Sequence, residues 1–133
     1  IGSPLLEVRF LAESASSGDD DLMKLVPVRQ HLAKLDLGRT QVTSQCLPFL
    51  ATFPRLTRLD LRDTKVGDTQ LDKLASLRNL RHLNLVGTKV SDAGLGKLGR
   101  CKSLRDLYLW NSEVSSRGIE SLGKQLPEAK LRF

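Results

Sequence analysis

Paired aspartates are the first candidates for chemistry in this sequence. Asp36 and Asp60 occupy equivalent positions in successive units of a repeated pattern, and two carboxylates brought close together can bind a metal ion or share a proton. Three cations, Lys34, Arg58 and Arg62, flank them in the sequence. Because exposed carboxylates beside arginine and lysine commonly form ion pairs, we favour a solvated lattice of charges over a metal or acid–base site.

The histidines and cysteines offer no complete site. His31 and His82 have no cysteine or second histidine placed to complete a zinc set. Cys46 and Cys101 form neither a CxxC nor a CxxCH motif, and two cysteines are too few for a disulfide framework. Stacked repeats would hold them on the order of 10 Å apart, beyond the roughly 7 Å reach of a disulfide. We predict two free thiols, with Cys101 buried in the place of a leucine.

Enzymatic motifs are missing from the sequence. It contains no nucleophile paired with a base, no GxxxxGK or GxGxxG phosphate loop, and no interleaved aromatic and basic RNA-binding motif. We therefore predict a noncatalytic domain with no catalytic, cofactor-binding or metal-binding residues and no nucleic-acid partner.

An aromatic pair is the strongest binding signal. Tyr108 and Trp110 are the only tyrosine and the only tryptophan of the chain and lie two positions apart, so both project from the same face of a strand. One interpretation is that the rings anchor a partner, since aromatic residues dominate binding hot spots. The other is that Trp110 folds over the edge of the last full repeat and shields its core. The sequence leaves both open.

These residues must be positioned by a repeat. Leucines recur at a constant interval in the unit LxxLxLxx(T/S)xV, followed by apolar residues at helical spacing. Because so short a unit cannot bury its apolar side alone, neighbouring units must stack. The pattern predicts an α/β fold: a right-handed leucine-rich repeat solenoid with a parallel sheet of about six strands on the concave face and helices on the convex face. The predicted helix N-caps are Ser44, Asp68, Asp92 and Ser116.

The whole chain, residues 1–133, is predicted to be a single leucine-rich repeat domain. Residues 1–31 form an irregular N-terminal repeat, residues 32–127 four 24-residue repeats, and residues 128–133 a C-terminal capping strand. Leu5, Val8 and Phe10 echo a strand, and residues 13–21 suggest a mobile loop. Six strands and five helices are expected in total. Because the chain begins at Ile1 rather than at methionine, a longer precursor is also expected.

Stacked strands place equivalent outward residues in columns across the concave face. The first column is Lys34, Arg58, His82, Asp106 and Lys130; the second is Arg9, Asp36, Asp60, Asn84, Tyr108 and Arg132; the third is Gly38, Arg62, Val86 and Trp110. The predicted partner-binding residues come from these columns: Arg58, Asp60, Arg62, His82, Asn84, Tyr108 and Trp110.

The net charge of +6 permits, but does not specify, an anionic partner. Several cations fall where helices return to strands: Arg55, Arg78, Arg81, Arg100, Lys102 and Arg105. They could meet an anion, but a charged rim is the interpretation we favour, because cations suit helix C-termini. No run approaches the roughly 18 apolar residues of a membrane span, so no direct membrane contact is expected from this segment.

Three stretches carry a family resemblance: LDLRDTKVGDTQLDKL, LNLVGTKVSDAGLGKL and LYLWNSEVSSRGIESLGKQLPEAKLRF. They resemble the C-terminal leucine-rich repeat domain of planctomycete-type bacterial proteins that carry a c-type cytochrome domain and membrane segments upstream. The resemblance implies an extracytoplasmic, periplasmic location and attachment to a redox protein. The family's haem motif, CxxCH, does not occur here, so no haem residue can be carried over.

The resulting functional expectation is a noncatalytic protein–protein recognition module that uses the concave sheet, with a glycan as a second kind of ligand. The alternative is a structural domain that packs on its own upstream cytochrome region. An enzyme or a metal-binding domain is the least favoured hypothesis.

Overall fold

The computed structural model describes residues 5–9 and 17–133. Six parallel strands form one sheet in chain order, as predicted. Phe10 and residues 13–16 of the predicted loop lie outside the described residues, so the structure does not bear on them. The strands are β1 (Leu6–Arg9), β2 (Leu32–Asp36), β3 (Arg58–Asp60), β4 (His82–Asn84), β5 (Asp106–Tyr108) and β6 (Lys130–Arg132).

The period of the repeat sets the register of the sheet. Leu35, Leu59, Leu83 and Leu107 pair in sequence from β2 to β5 and are buried in the core. Alternation along each strand then turns the residues on either side of these leucines outward. Only the first pairing is irregular, with a register shift between Leu6 and Glu7. The sheet is therefore a regular platform for the concave side chains.

Five segments return the chain along the convex side, but they are not all α-helices. The helices α1 (Leu47–Leu50), α2 (Asp92–Leu98) and α3 (Ser116–Gln125) are accompanied by 3₁₀ segments at Asp19–His31, Ser44–Cys46 and Leu71–Ser76. The prediction of five helices is therefore correct in number of segments and wrong in type for two of them, the first and the third. Pro27 lies inside the first and cannot donate a backbone hydrogen bond.

The helices α2 and α3 have a glycine in the first turn, and the third convex segment does not. A Cβ at Gly94 would meet the carboxylate of Asp68, and a Cβ at Gly118 would meet that of Asp92. The equivalent residue of the third segment is Gln70, which adopts a left-handed φ of 69°. The two longer α-helices, α2 and α3, are thus the ones with glycine at this position.

Three of the four predicted N-caps lie one residue too late, and the fourth does not cap a helix. The caps are Thr43, Ser91 and Ser115, so Ser44, Asp92 and Ser116 are the first helical residues. Asp68 caps nothing, since the third 3₁₀ segment begins only at Leu71.

The aspartates instead tie one repeat to the next. Each carboxylate accepts both the backbone N–H and the hydroxyl of a serine or threonine in the following repeat, at 2.5 to 2.8 Å. Between the first and second 24-residue repeats the hydroxyl of Ser44 serves a similar purpose, accepting the N–H of Gly67 at 2.9 Å. We call this series the carboxylate ladder; its pairs are Asp19–Thr43, Asp68–Ser91 and Asp92–Ser115.

The ninth residue of every repeat stabilises the turn after the strand. Each donates its hydroxyl to the backbone carbonyl three positions earlier, at 2.6 to 2.7 Å. The four donors are Thr40, Thr64, Thr88 and Ser112.

The core runs continuously through the stack and includes both cysteines, which are buried free thiols as predicted. Burial raises the pKa of Cys46 to about 12 and that of Cys101 to about 11. Over the ranges 5–9 and 17–133, each helix is too short or too polar to cross a membrane.

Candidate functional site

The predicted columns exist on the concave sheet. Arg58 pairs with His82, and His82 with Asp106. Asp60 pairs with Asn84, and Asn84 with Tyr108. Residues that are one repeat apart in the chain are therefore direct neighbours across the strands.

Five of the seven predicted partner-binding residues line one depression. It has a volume of about 170 Å³ and opens on the middle of the concave face. Leu59 contributes to its wall, and the predicted members are Arg58, Asp60, His82, Asn84 and Tyr108. Arg62 and Trp110 lie outside it, each two residues after a strand end.

Arg62 joins the two paired aspartates. Its Nη1 lies 3.0 Å from the Oδ1 of Asp36 and 2.5 Å from the Oδ2 of Asp60. Partial burial disfavours the charged guanidinium, but the charges of Asp60 and Asp36 outweigh this and raise the pKa of Arg62 above its usual value. The two carboxylates thus form ion pairs, as we favoured, but with Arg62 alone and not with Lys34 or Arg58.

Three side chains of the second column also close the turns that follow their strands. Asp36, Asp60 and Asn84 each accept, through a side-chain oxygen, the backbone N–H of the residue two positions later, at 2.9 to 3.0 Å. Tyr108 takes the equivalent place in the next repeat, and its long phenol side chain cannot close the turn in this way. The series of turn-closing side chains therefore ends where the aromatic pair begins.

A charged network absent from the predicted site borders Tyr108. Asp106 Oδ2 lies 3.0 Å from His82 Nδ1, and Asp106 Oδ1 lies 3.0 Å from Arg132 Nη2. The hydrogen bond from Arg132 holds the pKa of Asp106 below its usual value. The guanidinium of Arg132 also lies 5.4 Å from the centroid of the Tyr108 ring. Sequence reasoning placed Asp106 and Arg132 in the columns but left them out of the binding residues.

Trp110 is exposed. Its relative exposure of 68% is the second highest among the large hydrophobic side chains of the described residues. It follows directly on Leu109, which is 1% exposed, and precedes Asn111, whose φ of 56° turns the chain. The ring therefore does not shield the core, and the capping interpretation of Trp110 is not what the structure shows.

Arg58 and Lys34 are neighbouring cations on β3 and β2. Both are exposed, and neither forms an ion pair within residues 5–9 and 17–133. The nearby carboxylates of Asp36 and Asp60 are already engaged by Arg62 and by backbone N–H groups. Arg58 borders the depression and a second one of about 90 Å³ that also includes Lys34.

The concave face presents groups that are suited to binding. Among the described residues, no three histidine, cysteine, aspartate or glutamate side chains gather closely enough to hold a metal ion. The face instead offers a free guanidinium, amide and imidazole groups, a phenol and an exposed indole, which together suit hydrogen bonding and aromatic contact.

The fold defines the chain as a leucine-rich repeat domain: a parallel sheet of six strands, one per repeat, backed by short convex segments around a leucine core. The comparisons agree. The family model described as "Leucine Rich repeat" matches residues 76–99. No sequence among curated proteins matches.

Solved structures with the same fold come from two bacteria and a plant. A leucine-rich repeat protein of Leptospira interrogans superposes with a TM-score of 0.65 at 18% identity, over 97% of this chain and 29% of that one. An internalin of Listeria monocytogenes gives 0.62 at 18% identity, over 80% of this chain and 30% of that one. The plant peptide hormone receptor RGFR1 in complex with RGF2 gives 0.52 at 17% identity, over 77% and 16%. The chain thus spans less than a third of the length of these proteins.

Proposed function

We propose that this domain is a noncatalytic module that recognises a protein through its concave face. The contact centres on the depression lined by Arg58, His82, Asn84 and Tyr108, with Trp110 beside it as an exposed aromatic anchor. The observation that carries the proposal is the position of the indole ring: it is exposed in the turn just after β5, next to polar side chains held in register.

The surrounding contacts support this use of the face. Asp60 and Arg62 are fixed by their mutual ion pair, and His82 by Asp106, so the polar groups are held before a partner arrives. Preorganised groups lose little conformational entropy on binding. The leucine-rich repeat fold commonly serves protein–protein interaction, and one of the similar structures is a receptor in complex with RGF2.

We further propose that the domain acts outside the cytoplasm, in the periplasm, as part of a larger bacterial redox protein. The support is the resemblance of its repeats to the C-terminal domain of planctomycete-type cytochrome proteins. Fractionation of cells that express the full-length gene tests the location, and recovery of the protein in the cytoplasm would contradict it.

Partner capture tests the recognition proposal. The immobilised domain is compared with a variant in which Tyr108 and Trp110 are both alanine. The control carries Met23→Ala and Val26→Ala, which remove two side chains that are 60% and 40% exposed on a convex segment. We expect a partner to be captured by the wild type and the control, and lost by the aromatic variant.

Equal capture by all three proteins would refute the concave site. Crosslinking of residues beside Trp110 to the protein's own upstream region, in the full-length chain, would instead favour the alternative function as a domain that packs on its cytochrome region.

A further inference from the structure

The two edges of the solenoid differ sharply in charge. The return edge consists of the segments that lead from the convex side into the strands: 28–33, 52–57, 76–81, 100–105 and 124–129. It carries eight basic residues and one acidic residue, Glu128. The turn edge, on the other side of the strands, consists of 39–44, 63–68, 87–92 and 111–116. It carries three basic and four acidic residues. The positive charge of the domain is therefore concentrated along one side.

Most cations of the return edge have no counterion. Arg55, Arg78, Arg81 and Arg100 are exposed, and none forms an ion pair with any described residue. Arg105 and Lys124 are the exceptions, paired with Glu128 at 3.0 Å and with Glu120 at 3.7 Å. The edge thus keeps free guanidinium groups in three consecutive repeats.

The repeat stacks these cations in register. Arg81 and Arg105 occupy equivalent positions, and the N–H of Arg105 donates to the carbonyl of Arg81 at 2.9 Å. Arg78 and Lys102, and likewise Arg100 and Lys124, occupy equivalent positions in adjacent repeats. Like charges held side by side repel each other, and among these cations only Arg105 and Lys124 have a carboxylate partner within the described residues. An anionic partner would relieve this repulsion.

The form of the edge favours a carboxylate-bearing partner over a nucleic acid. Proteins that bind single strands stack the bases on exposed aromatic rings, whereas the one aromatic residue of the described return edge, Phe53, is fully buried. The convex helices also present their C-terminal ends here, so the edge lacks the helix N-terminal N–H groups that commonly bind phosphate. Recognition must therefore come from guanidinium groups, which pair with carboxylates, as they do with phosphates, through two hydrogen bonds.

The return edge is continuous with the concave site. Arg58 follows segment 52–57 directly and borders both concave depressions. We propose that the protein partner carries a segment rich in aspartate and glutamate that crosses the return edge and places its end beside Arg58. This inference rests on the proposed recognition function and adds to it the chemistry of the partner.

The test uses a fluorescein-labelled peptide of six Glu–Ser repeats, a matched peptide of six Gln–Ser repeats, and a twelve-nucleotide oligothymidylate. Binding to the domain is followed by fluorescence anisotropy. We expect the Glu–Ser peptide to bind, the Gln–Ser peptide not to bind, and the binding to vanish near 1 M salt, where the Debye length is about 3 Å.

The variant for this test replaces Arg55, Arg78, Arg81 and Arg100 by glutamine. A control variant removes four cations that lie off the return edge: Arg39→Gln, Lys65→Gln, Lys89→Gln and Arg117→Gln. All eight side chains are exposed, so both variants should fold, which circular dichroism checks. An exposed ion pair contributes up to about 1 kcal/mol. Losing four of them should weaken peptide binding at least about tenfold in the first variant, and less than about twofold in the control.

Equal weakening in both variants would overturn the inference, because net charge alone would then explain binding. Tighter binding of the oligothymidylate than of the Glu–Ser peptide would replace the acidic segment by a nucleic acid, and absence of peptide binding would also refute it. The concave proposal fails separately, through the aromatic variant, since the peptide assay requires neither Tyr108 nor Trp110.

Discussion

Replacing Thr64 by valine removes one hydroxyl from the turn after β3 and keeps the shape of the side chain. Thr64 is 6% exposed, and its hydroxyl donates to the carbonyl of Leu61 at 2.6 Å. Leu61 is fully buried, so water cannot take the place of the lost donor. The variant leaves an unpaired carbonyl in the interior.

An unpaired buried polar group costs about 1 to 3 kcal/mol. Thr88→Val should cost less, about 0.5 to 1.5 kcal/mol, because the backbone N–H of Thr88 also donates to the carbonyl of Leu85, at 3.2 Å. For a domain of this size, 1 kcal/mol corresponds to a shift of roughly 3 to 5 °C in melting temperature. Thr64→Val is therefore expected to melt about 3 to 15 °C below the wild type, and below Thr88→Val.

Urea unfolding followed by circular dichroism measures both variants, and an unchanged m-value shows that the midpoints report stability. Thr64→Ser is the matched control, since Ser112 makes the same bond in the fourth repeat at 2.6 Å. A valine variant as stable as the wild type would refute the reasoning. So would a serine variant that loses as much stability as valine, because the hydroxyl would then not be the group that matters.

Three further outcomes are expected. Both thiols should resist a thiol reagent at pH 8 in the native state and react fully after unfolding, because burial raises the pKa of Cys46 to about 12 and of Cys101 to about 11; rapid native labelling would contradict their burial. Alanine at both positions of the aromatic pair should lower the unfolding free energy by no more than about 2 kcal/mol, whereas Leu109→Ala, at 1% exposure, should cost about 2 to 5 kcal/mol; thermal melts compare them. The hydrogen bond from the Ser115 hydroxyl holds the pKa of Asp92 below its usual 3.8, so the stabilisation from Asp92 is complete above pH 3.8 and is lost as the pH falls through the lower folded value. Asp92→Asn should therefore weaken the loss of stability at acid pH. An unchanged loss in this variant would count against the carboxylate ladder.

The concave arrangement could be predicted because a fixed period determines it. Once Arg58, His82 and Asp106 recur at the interval of one repeat and each precedes an inward leucine, parallel pairing brings them together whatever the side chains do. The bridging contact of Arg62 is different in kind. It depends on a side-chain conformation that reaches two strands at once, and no spacing in the sequence specifies it.

The caps show where local patterns are ambiguous. Thr43 and Ser44, like Ser115 and Ser116, are adjacent residues that can both cap a helix, so the sequence alone does not choose between them. Asp92 follows another such residue, and its true partner lies in the next repeat, which a local rule does not consider. The type of the third segment was missed for a similar reason, because the close contact at the equivalent position, Gly94, comes from Asp68 in a neighbouring repeat.

The carboxylate ladder has a consequence for how such a protein can change in length. Each rung joins positions 23 or 24 residues apart, so excising residues 68–91 would leave Ser44 facing Gly67 and Asp92 facing Ser115, with every remaining rung complete. A cut that is not a whole number of repeats would put the rungs that span it out of register. The binding surface can therefore be shortened or extended by whole strands, through loss or gain of whole repeats in the gene.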